Sequence, residues 1–192
     1  MIMGTIVIEG GFAEQVVCVT SSHFASAEKE FRFPLEYGNQ RPLSATWTVT
    51  GSGAFILSKQ HQKGDRAKIT GFTTGIVTDF GLKDSMNMGA CMAPASASTL
   101  EQHFIDFGSQ PNDYDKIITG DLGRVGQTVL IELLKDRGYD ISKVHMDCGI
   151  EIYDEKEQDP HAGGSGCGCS AVTLSAYILK QLEEGIWKKV LF

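Results

Sequence analysis

Apolar and polar positions follow two different periods along this chain. Strand-length runs of apolar and β-branched residues lie at 16–20, 46–58, 69–78, 114–119 and 144–150, and the run at 46–58 is divided by a glycine turn. Helical spacing of apolar residues occurs at 1–10, 94–107, 125–137 and 171–186, with Pro94 in the first turn of its helix. Strands that alternate with helices predict an α/β layered fold with a largely parallel sheet.

A glycine-rich segment, HAGGSGCGCSA at 161–171, precedes the last of these helices. Its glycines, among them Gly163 and Gly164, allow the backbone to approach a ligand closely, and Ser165 and Cys167 place small polar side chains beside the free N–H groups of the first helical turn. The segment is therefore a candidate ligand-binding loop. The alternative is a tight strand-to-helix turn whose glycines serve packing.

A short internal repeat appears when the chain is shifted by 174 positions, which places Ile8–Cys18 over Leu182–Phe192. Both segments predict the end of a helix, a glycine stop, a polar turn and the beginning of an apolar strand. We therefore expect two related halves, with residues 1–58 as the remainder of an N-terminal half, 59–68 as a linker and 69–192 as a C-terminal half. We also expect a fragment that is incomplete at both ends and truncated before its last strand.

Composition narrows the class of protein. The chain of 192 residues is 42% hydrophobic and 21% charged, with a net charge of −7 and no run of Lys or Arg, so we expect no nucleic-acid partner. No uninterrupted apolar stretch has the length of a membrane span. An odd count of five cysteines favours reduced thiols in a cytoplasmic setting over a disulfide framework.

Polar residues follow several predicted strands, where ligand sites of parallel sheets gather. Ser22 and His23 follow the first strand, and Asp121 follows the strand at 114–119. Arg32 and Arg41, in an aromatic and proline-bearing loop, could meet a carboxylate. Each candidate also has a purely structural interpretation. Ser22 and His23 could belong to a polar loop whose hydrogen bonds are satisfied, Asp121 could cap a helix, and the two arginines could form surface salt bridges.

Three kinds of catalytic or metal site can be drawn from the same residues. A nucleophile pair would combine Cys167 or Cys169 with His161 or His23. A zinc site from His161, Cys167 and Cys169 matches none of the usual ligand spacings, and we expect no metal bound by the protein itself. The serine hydrolase motif G-x-S-x-G is absent, because the segment at 163–167 lacks the closing glycine.

Six segments together give the chain a family resemblance: SSHFASAEKEFRFPLEYGNQRP, TWTVTGSGAFILS, DSMNMGACMAPA, YDKIITGDLGRVG, HMDCGIEIY and HAGGSGCGCSA. With these motifs the whole chain resembles the stage V sporulation protein AD family, thiolase-like proteins of endospore-forming Firmicutes. The resemblance implies a duplicated αβαβα thiolase-like architecture and a nucleophile segment that lies before Met1. It implies binding of dipicolinic acid, as or with its Ca²⁺ chelate, and a role in its uptake into the spore.

The resemblance also implies partners and a location. We expect a homodimer at full length and contacts with other stage V sporulation A proteins. These would place the protein peripherally on the cytoplasmic side of the forespore or spore inner membrane. No cofactor is expected beyond Ca²⁺ carried with the ligand.

The residues favour binding over catalysis. Condensing enzymes of the thiolase superfamily carry His or Asn on the loops that are TGDLG and AGGSG here, and neither loop has one at its centre. Asp121 would repel a developing oxyanion. We therefore expect a non-catalytic protein in which the glycine loop and Ser22 supply donors, Arg32 or Arg41 a cation, and Asp121 a contact to bridging calcium. The alternatives are an acyl-CoA or acyl-carrier condensing enzyme with a reorganised Cys–His pair, and a scaffold without a ligand.

Overall fold

A computed structural model describes residues 1–23, 42–59, 67–84 and 86–192. The helices are α1 (Ile2–Glu9), α2 (Met88–Phe107), α3 (Gly123–Asp136), α4 (Cys148–Glu151), α5 (Glu155–Gln158), α6 (Cys167–Thr173) and α7 (Leu179–Glu183). A π turn at Leu174–Ile178 joins α6 to α7, and a 3-10 turn lies at Pro111–Asp113. The strands are β1 (Gln15–Ser22), β2 (Trp47–Thr48), β3 (Gly51–Ser58), β4 (Lys116–Thr119), β5 (His145–Asp147), β6 (Gly164–Ser165) and β7 (Val190–Leu191).

A parallel sheet in the order β5-β4-β7 separates two apolar clusters. Ile117 of β4 joins the cluster that contains Leu130 of α3, whereas Ile118 joins the cluster that contains Cys169 and Ile178. Neighbouring residues of a strand point to opposite faces, so β4 is buried on both sides. The sheet therefore has α2 and α3 on one face and the helical segment that begins with α6 on the other, which confirms the predicted α/β layering.

The β1–β3 ribbon forms a further layer beyond α6. β1 and β3 pair antiparallel from Gln15 opposite Ser58 to Ser22 opposite Gly51. A Cβ added at Gly53 would lie 2.8 Å from the Cβ of Ala171, so glycine lets α6 approach the ribbon closely. The described layers thus run helix, sheet, helix, sheet. Apolar side chains on the outer face of the ribbon are exposed: Val17, Val19 and Ile56.

The two segments of the 174-residue repeat have the same local structure. Gly11 follows α1 with φ +77°, and Gly185 follows α7 with φ +71°. Each glycine lies in the left-handed region that commonly ends a helix, and each precedes a strand. The repeat is therefore visible in the backbone, while the boundaries of the two predicted halves stay a prediction.

Helix α1 is buried on one side only. Gly4 and Ile8 face β1 and β3, and an added Cβ at Gly4 would lie 2.8 Å from Cys18 Sγ. On the other side Met3 and Ile6 are exposed. α1 and α6 cover the same inner face of the ribbon, but no other described element covers the outer side of α1.

The predicted strand at 69–78 does not pair with any strand among the described residues. Alternate residues of this segment instead contact one face of helix α2. An added Cβ at Gly71 would lie 2.6 Å from the ring of Phe107, and the Thr73 hydroxyl lies 2.9 Å from His103 Nδ1. His103 and Phe107 are four residues apart and therefore lie on the same face of α2. Every second residue of an extended segment can contact that face.

Three other element predictions are corrected in their bounds. The run at 46–58 forms two strands as predicted, but Gly51 and Gly53 lie within β3 and not in a turn, and β2 pairs with β6 while β3 pairs with β1. Helix α2 begins at Met88, where Asn87 accepts a hydrogen bond from the Ala90 N–H, and Pro94 lies inside it. The run at 144–150 is a strand only to Asp147 and then turns into α4.

Candidate functional site

The ends of β1 and β4 meet the first turn of α6 at one place, which we call the strand-end junction: Ser21–His23, Gly120–Asp121 and Gly166–Ser170. The Gly166 N–H donates to Asp121 Oδ2 over 2.8 Å. The Gly168 N–H donates to Ser22 Oγ, also over 2.8 Å. These bonds bring together chain segments as far as 146 residues apart. Sequence analysis placed the same residues near the ends of predicted strands, which commonly meet at one edge of a sheet.

The Ser22 hydroxyl is already engaged within the protein. It accepts from Gly168 and donates to the Val49 carbonyl over 2.8 Å. The hydroxyl therefore uses its hydrogen and one of its acceptor lone pairs. By accepting from Gly168 it caps α6, and by donating to Val49 it connects that helix to the chain that follows β2. The sequence assigned Ser22 to a ligand, whereas these bonds first give it a structural role.

Two carboxylates lie close together here, with Asp121 in the junction and the buried Asp147 beneath it. Asp147 is 1% exposed and accepts from the Thr119 hydroxyl at 2.6 Å and the Leu122 and Gly123 N–H groups at 2.9 and 3.0 Å. Burial raises the pKa of Asp147, these three donors oppose the rise, and the Asp121 charge adds to it. Asp147 thereby caps α3, which begins beside β4.

A line of hydrogen bonds extends from Asp147 into the interior. Since the Thr119 hydroxyl donates to Asp147, it accepts from His145 Nε2 at 3.0 Å. His145 Nδ1 then accepts from the Gln127 amide, also at 3.0 Å, which fixes a neutral ring. Burial, followed by the charge of Lys116, lowers the pKa of His145 from 6.5 to about 4.

Sequence reasoning missed this line, because 144–150 was predicted as one strand. A continuous strand would point Asp147 to one face without a partner. The available signal was an acid at the end of a short apolar strand with a glycine two positions later, Asp147-Cys148-Gly149, as in Asp121-Leu122-Gly123. The same signal that led to Asp121 would have led to Asp147.

The first glycines of the 161–171 segment lie under the junction and not at its mouth. Gly163, Gly164 and Ser165 are buried, and the β6 backbone pairs with β2. An added Cβ at Gly164 would lie 2.6 Å from Ile152 Cγ2 and 2.9 Å from Val49 Cγ2. A larger residue at Gly164 would therefore disrupt the core, so this part of the candidate ligand-binding loop packs inside the protein.

Gly163 shows why glycine is required there. Its φ is +122°, and an added Cβ would lie 2.5 Å from the Gly149 carbonyl oxygen. The packing alternative therefore holds for this part of the segment. The accessible part of the junction consists of three exposed residues, Ser21, His23 and Cys167, and five half-buried ones: Ser22, Gly120, Asp121, Gly166 and Ser170.

The thiols divide into buried and exposed groups, and all five are free. Burial raises the pKa of Cys148 to about 12, and burial followed by the neighbouring Cys148 and Asp121 raises that of Cys169. Such thiols are poor nucleophiles near neutral pH. Cys167 is exposed, and its Sγ lies 3.0 Å from the Ser21 carbonyl oxygen.

His161 does not join these cysteines. Its Nδ1 donates to the Pro42 carbonyl over 2.9 Å, and its Nε2 lies 3.6 Å from Asp159 Oδ1. Within the described ranges no three His, Cys, Asp or Glu side chains are arranged to hold a metal ion. Arg32 and Arg41 lie outside the described residues. In the part of the chain that is described, no helix could cross a bilayer.

Comparisons with known proteins agree with this architecture. The family model described as Stage V sporulation protein AD matches residues 1–192. Stage V sporulation protein AD of Bacillus subtilis (strain 168) is 47% identical over 188 residues, covering 98% of this chain and 54% of that protein. This chain therefore spans about half the length of that relative.

Among solved structures, the tetronic acid condensing enzyme AbyA1 superposes with a TM-score of 0.53 at 15% identity. The match covers 94% of this chain and 54% of that one. At this identity the similarity concerns the fold alone, which is thiolase-like.

Proposed function

We propose, because the chain belongs to the stage V sporulation protein AD family, that it is part of a non-catalytic protein that binds dipicolinic acid during spore formation. The proposal places the ligand at the strand-end junction, as or with its Ca²⁺ chelate. It further assigns the protein to the machinery that takes dipicolinic acid into the spore.

The main support for a protein without catalytic activity is the Asp121 carboxylate at the strand-end junction. An acyl-transfer site needs hydrogen-bond donors or positive groups where the oxyanion develops. The junction instead presents the Asp121 carboxylate, whose charge adds to the burial that raises the pKa of Asp147 behind it. The imidazole of the hydrogen-bond network behind the junction, His145, is buried and bonded to Thr119, whereas His23 at the junction is exposed.

The same charge supports a calcium-bridged ligand over the free dianion. Asp121 uses Oδ2 to accept from Gly166, and its other oxygen has no partner among the described residues. A carboxylate oxygen is a preferred Ca²⁺ ligand, and the metal would relieve repulsion between Asp121 and dipicolinate. The Cys167 N–H lies in the first turn of α6, where backbone N–H groups have no acceptor within the helix.

The proposal includes a peripheral location at the spore inner membrane, a homodimer at full length and contacts with other stage V sporulation A proteins. The exposed Val17, Val19 and Ile56 on the outer face of the β1–β3 ribbon support burial of that face by another layer or subunit.

Calorimetric titration of the full-length protein tests the binding. Dipicolinate should bind with Ca²⁺ present and at least about tenfold more weakly without it. Asp121→Asn should lose most of this calcium dependence, while Asp136→Asn, an exposed acid at the end of α3, should retain it. If both variants bound dipicolinate with equal strength, whether or not Ca²⁺ was present, the assignment of Asp121 as a calcium ligand would be overturned.

Assays with acyl-CoA substrates separate the proposal from the condensing-enzyme alternative, which the fold of AbyA1 and the exposed Cys167 keep open. We expect no turnover by the full-length protein. Turnover that disappears in Cys167→Ala or Cys169→Ala would favour the enzyme.

A further inference from the structure

A surface segment, residues 67–84, lies across helix α2, and we call it the strap. Only Thr73 and Thr78 of the strap are half-buried, and its other residues are exposed. The strap contributes no side chain to either apolar cluster, and no backbone hydrogen bond joins it to the other described ranges. Segments with so few buried contacts open at a low cost in free energy. The strap is therefore held chiefly by the side chains beneath it.

Two glycines and one threonine of the strap make the contacts with α2. An added Cβ at Gly71 would lie 2.6 Å from the ring of Phe107, and one at Gly75 would lie 3.0 Å from a hydroxyl of the same helix. Between the two glycines, the Thr73 hydroxyl lies 2.9 Å from His103 Nδ1. The glycines let the strap lie flat on the helix, and the bond between Thr73 and His103 ties it there.

The hydrogen bonds beneath the strap determine which nitrogen of His103 carries the proton. The Tyr114 hydroxyl donates to Ser109 Oγ over 3.1 Å and accepts from His103 Nε2 over 2.9 Å. His103 Nδ1 is then the unprotonated nitrogen, and it accepts from the Thr73 hydroxyl. His103, Ser109 and Tyr114 are each 6% exposed. The strap therefore covers the one atom at which this ring can take up a proton.

Burial outweighs the charges that surround His103. Burial lowers the pKa of His103, the charge of Asp106 on α2 raises it, and the charge of Lys189 lowers it further. Lys189 precedes β7, and its Nζ lies 4.4 Å from the centre of the Tyr114 ring. The strap itself contacts the ring with the uncharged Thr73 hydroxyl. A proton on the ring is thus more stable when the strap is open and water reaches Nδ1.

We propose that the strap is a pH-sensitive switch, in which protonation of His103 Nδ1 releases residues 67–84 from α2 in mild acid. A protonated Nδ1 can no longer accept from Thr73, and a closed strap would hold the charged ring away from water. Above the ordinary pKa of histidine the ring is neutral whether the strap is open or closed. Below it the open state gains a proton and is favoured. The switch does not depend on dipicolinate binding at the strand-end junction.

Limited proteolysis of the full-length protein measures the opening of the strap. Cleavage by proteinase K within residues 67–84, located by mass spectrometry, is compared between the wild type and His103→Gln at pH 7.5 and 5.5. Glutamine can still donate and accept but does not titrate. The ratio of wild-type to variant cleavage should rise at least about threefold from pH 7.5 to 5.5. The pH response of the protease and the effect of His145 cancel in this ratio, and His161→Gln should behave as the wild type.

An NMR titration of His103 gives a second test that leaves the ring in place. Thr73→Val removes the hydroxyl and keeps the shape of the side chain, so the pKa of His103 should rise toward 6.5. The matched Thr74→Val replaces the exposed neighbour and should leave that pKa unchanged. A cleavage ratio that is the same at both pH values, or a His103 pKa that is the same in both threonine variants, would overturn the proposal.

Discussion

His145 should make this protein lose stability in mild acid. The ring is 9% exposed, and in its neutral form it accepts from Gln127 and donates to Thr119. Burial lowers its pKa from 6.5 to about 4. Between these values the unfolded chain takes up a proton that the folded chain does not, so the free energy of unfolding falls as the pH falls.

The magnitude follows from the two pKa values. Above pH 6.5 the ring is neutral in both states and the stability is complete. The loss should reach about 2 kcal/mol at pH 5 and about 3 kcal/mol at pH 4. Asp147 acts in the opposite direction, because its raised pKa adds stability that is lost as the pH rises through its folded value. A comparison of two variants is therefore needed.

Urea unfolding of the wild type and His145→Gln at pH 7, 5 and 4 provides that comparison. The glutamine can still accept from Gln127 and donate to Thr119, while Asp147 contributes to both proteins. The wild type should lose about 3 kcal/mol relative to the variant between pH 7 and pH 4. Parallel pH dependences, or an NMR titration of the folded protein that places the His145 pKa near 6.5, would refute the reasoning.

Three further outcomes are expected. Ser22→Ala should lower the free energy of unfolding by about 1 to 3 kcal/mol, because two hydrogen-bond partners lose the hydroxyl; an unchanged urea midpoint would contradict the capping role. Gly123→Ala should cost at least about 2 kcal/mol more than Gly138→Ala, since both have positive φ but only the first would place a Cβ 2.5 Å from a carbonyl oxygen; equal thermal shifts would oppose this. Ellman's reagent at pH 8 should leave Cys148 and Cys169 unmodified in the folded protein, and rapid labelling of either would show that the junction opens.

Much of the fold was determined by local patterns in the sequence. The alternation of apolar strands and helices predicted the α/β layers. The repeated glycine at positions 11 and 185 predicted matching helix ends, and both adopt positive φ. Sequence analysis could single out Ser22 and Asp121 because polar residues near the end of a strand are visible in sequence, and the structure brings both to the strand-end junction.

The tertiary structure decided what those residues contact. Whether Ser22 faces a ligand or Gly168 depends on a segment 146 residues away. Whether Asp147, the last residue of β5, also caps α3 depends on where that helix begins. The run at 69–78 has the period of a strand, yet one face of α2 takes the place of a neighbouring strand. Period and propensity are properties of a few consecutive residues, whereas hydrogen-bond partners and burial depend on the order in which the layers pack, and local patterns do not specify that order.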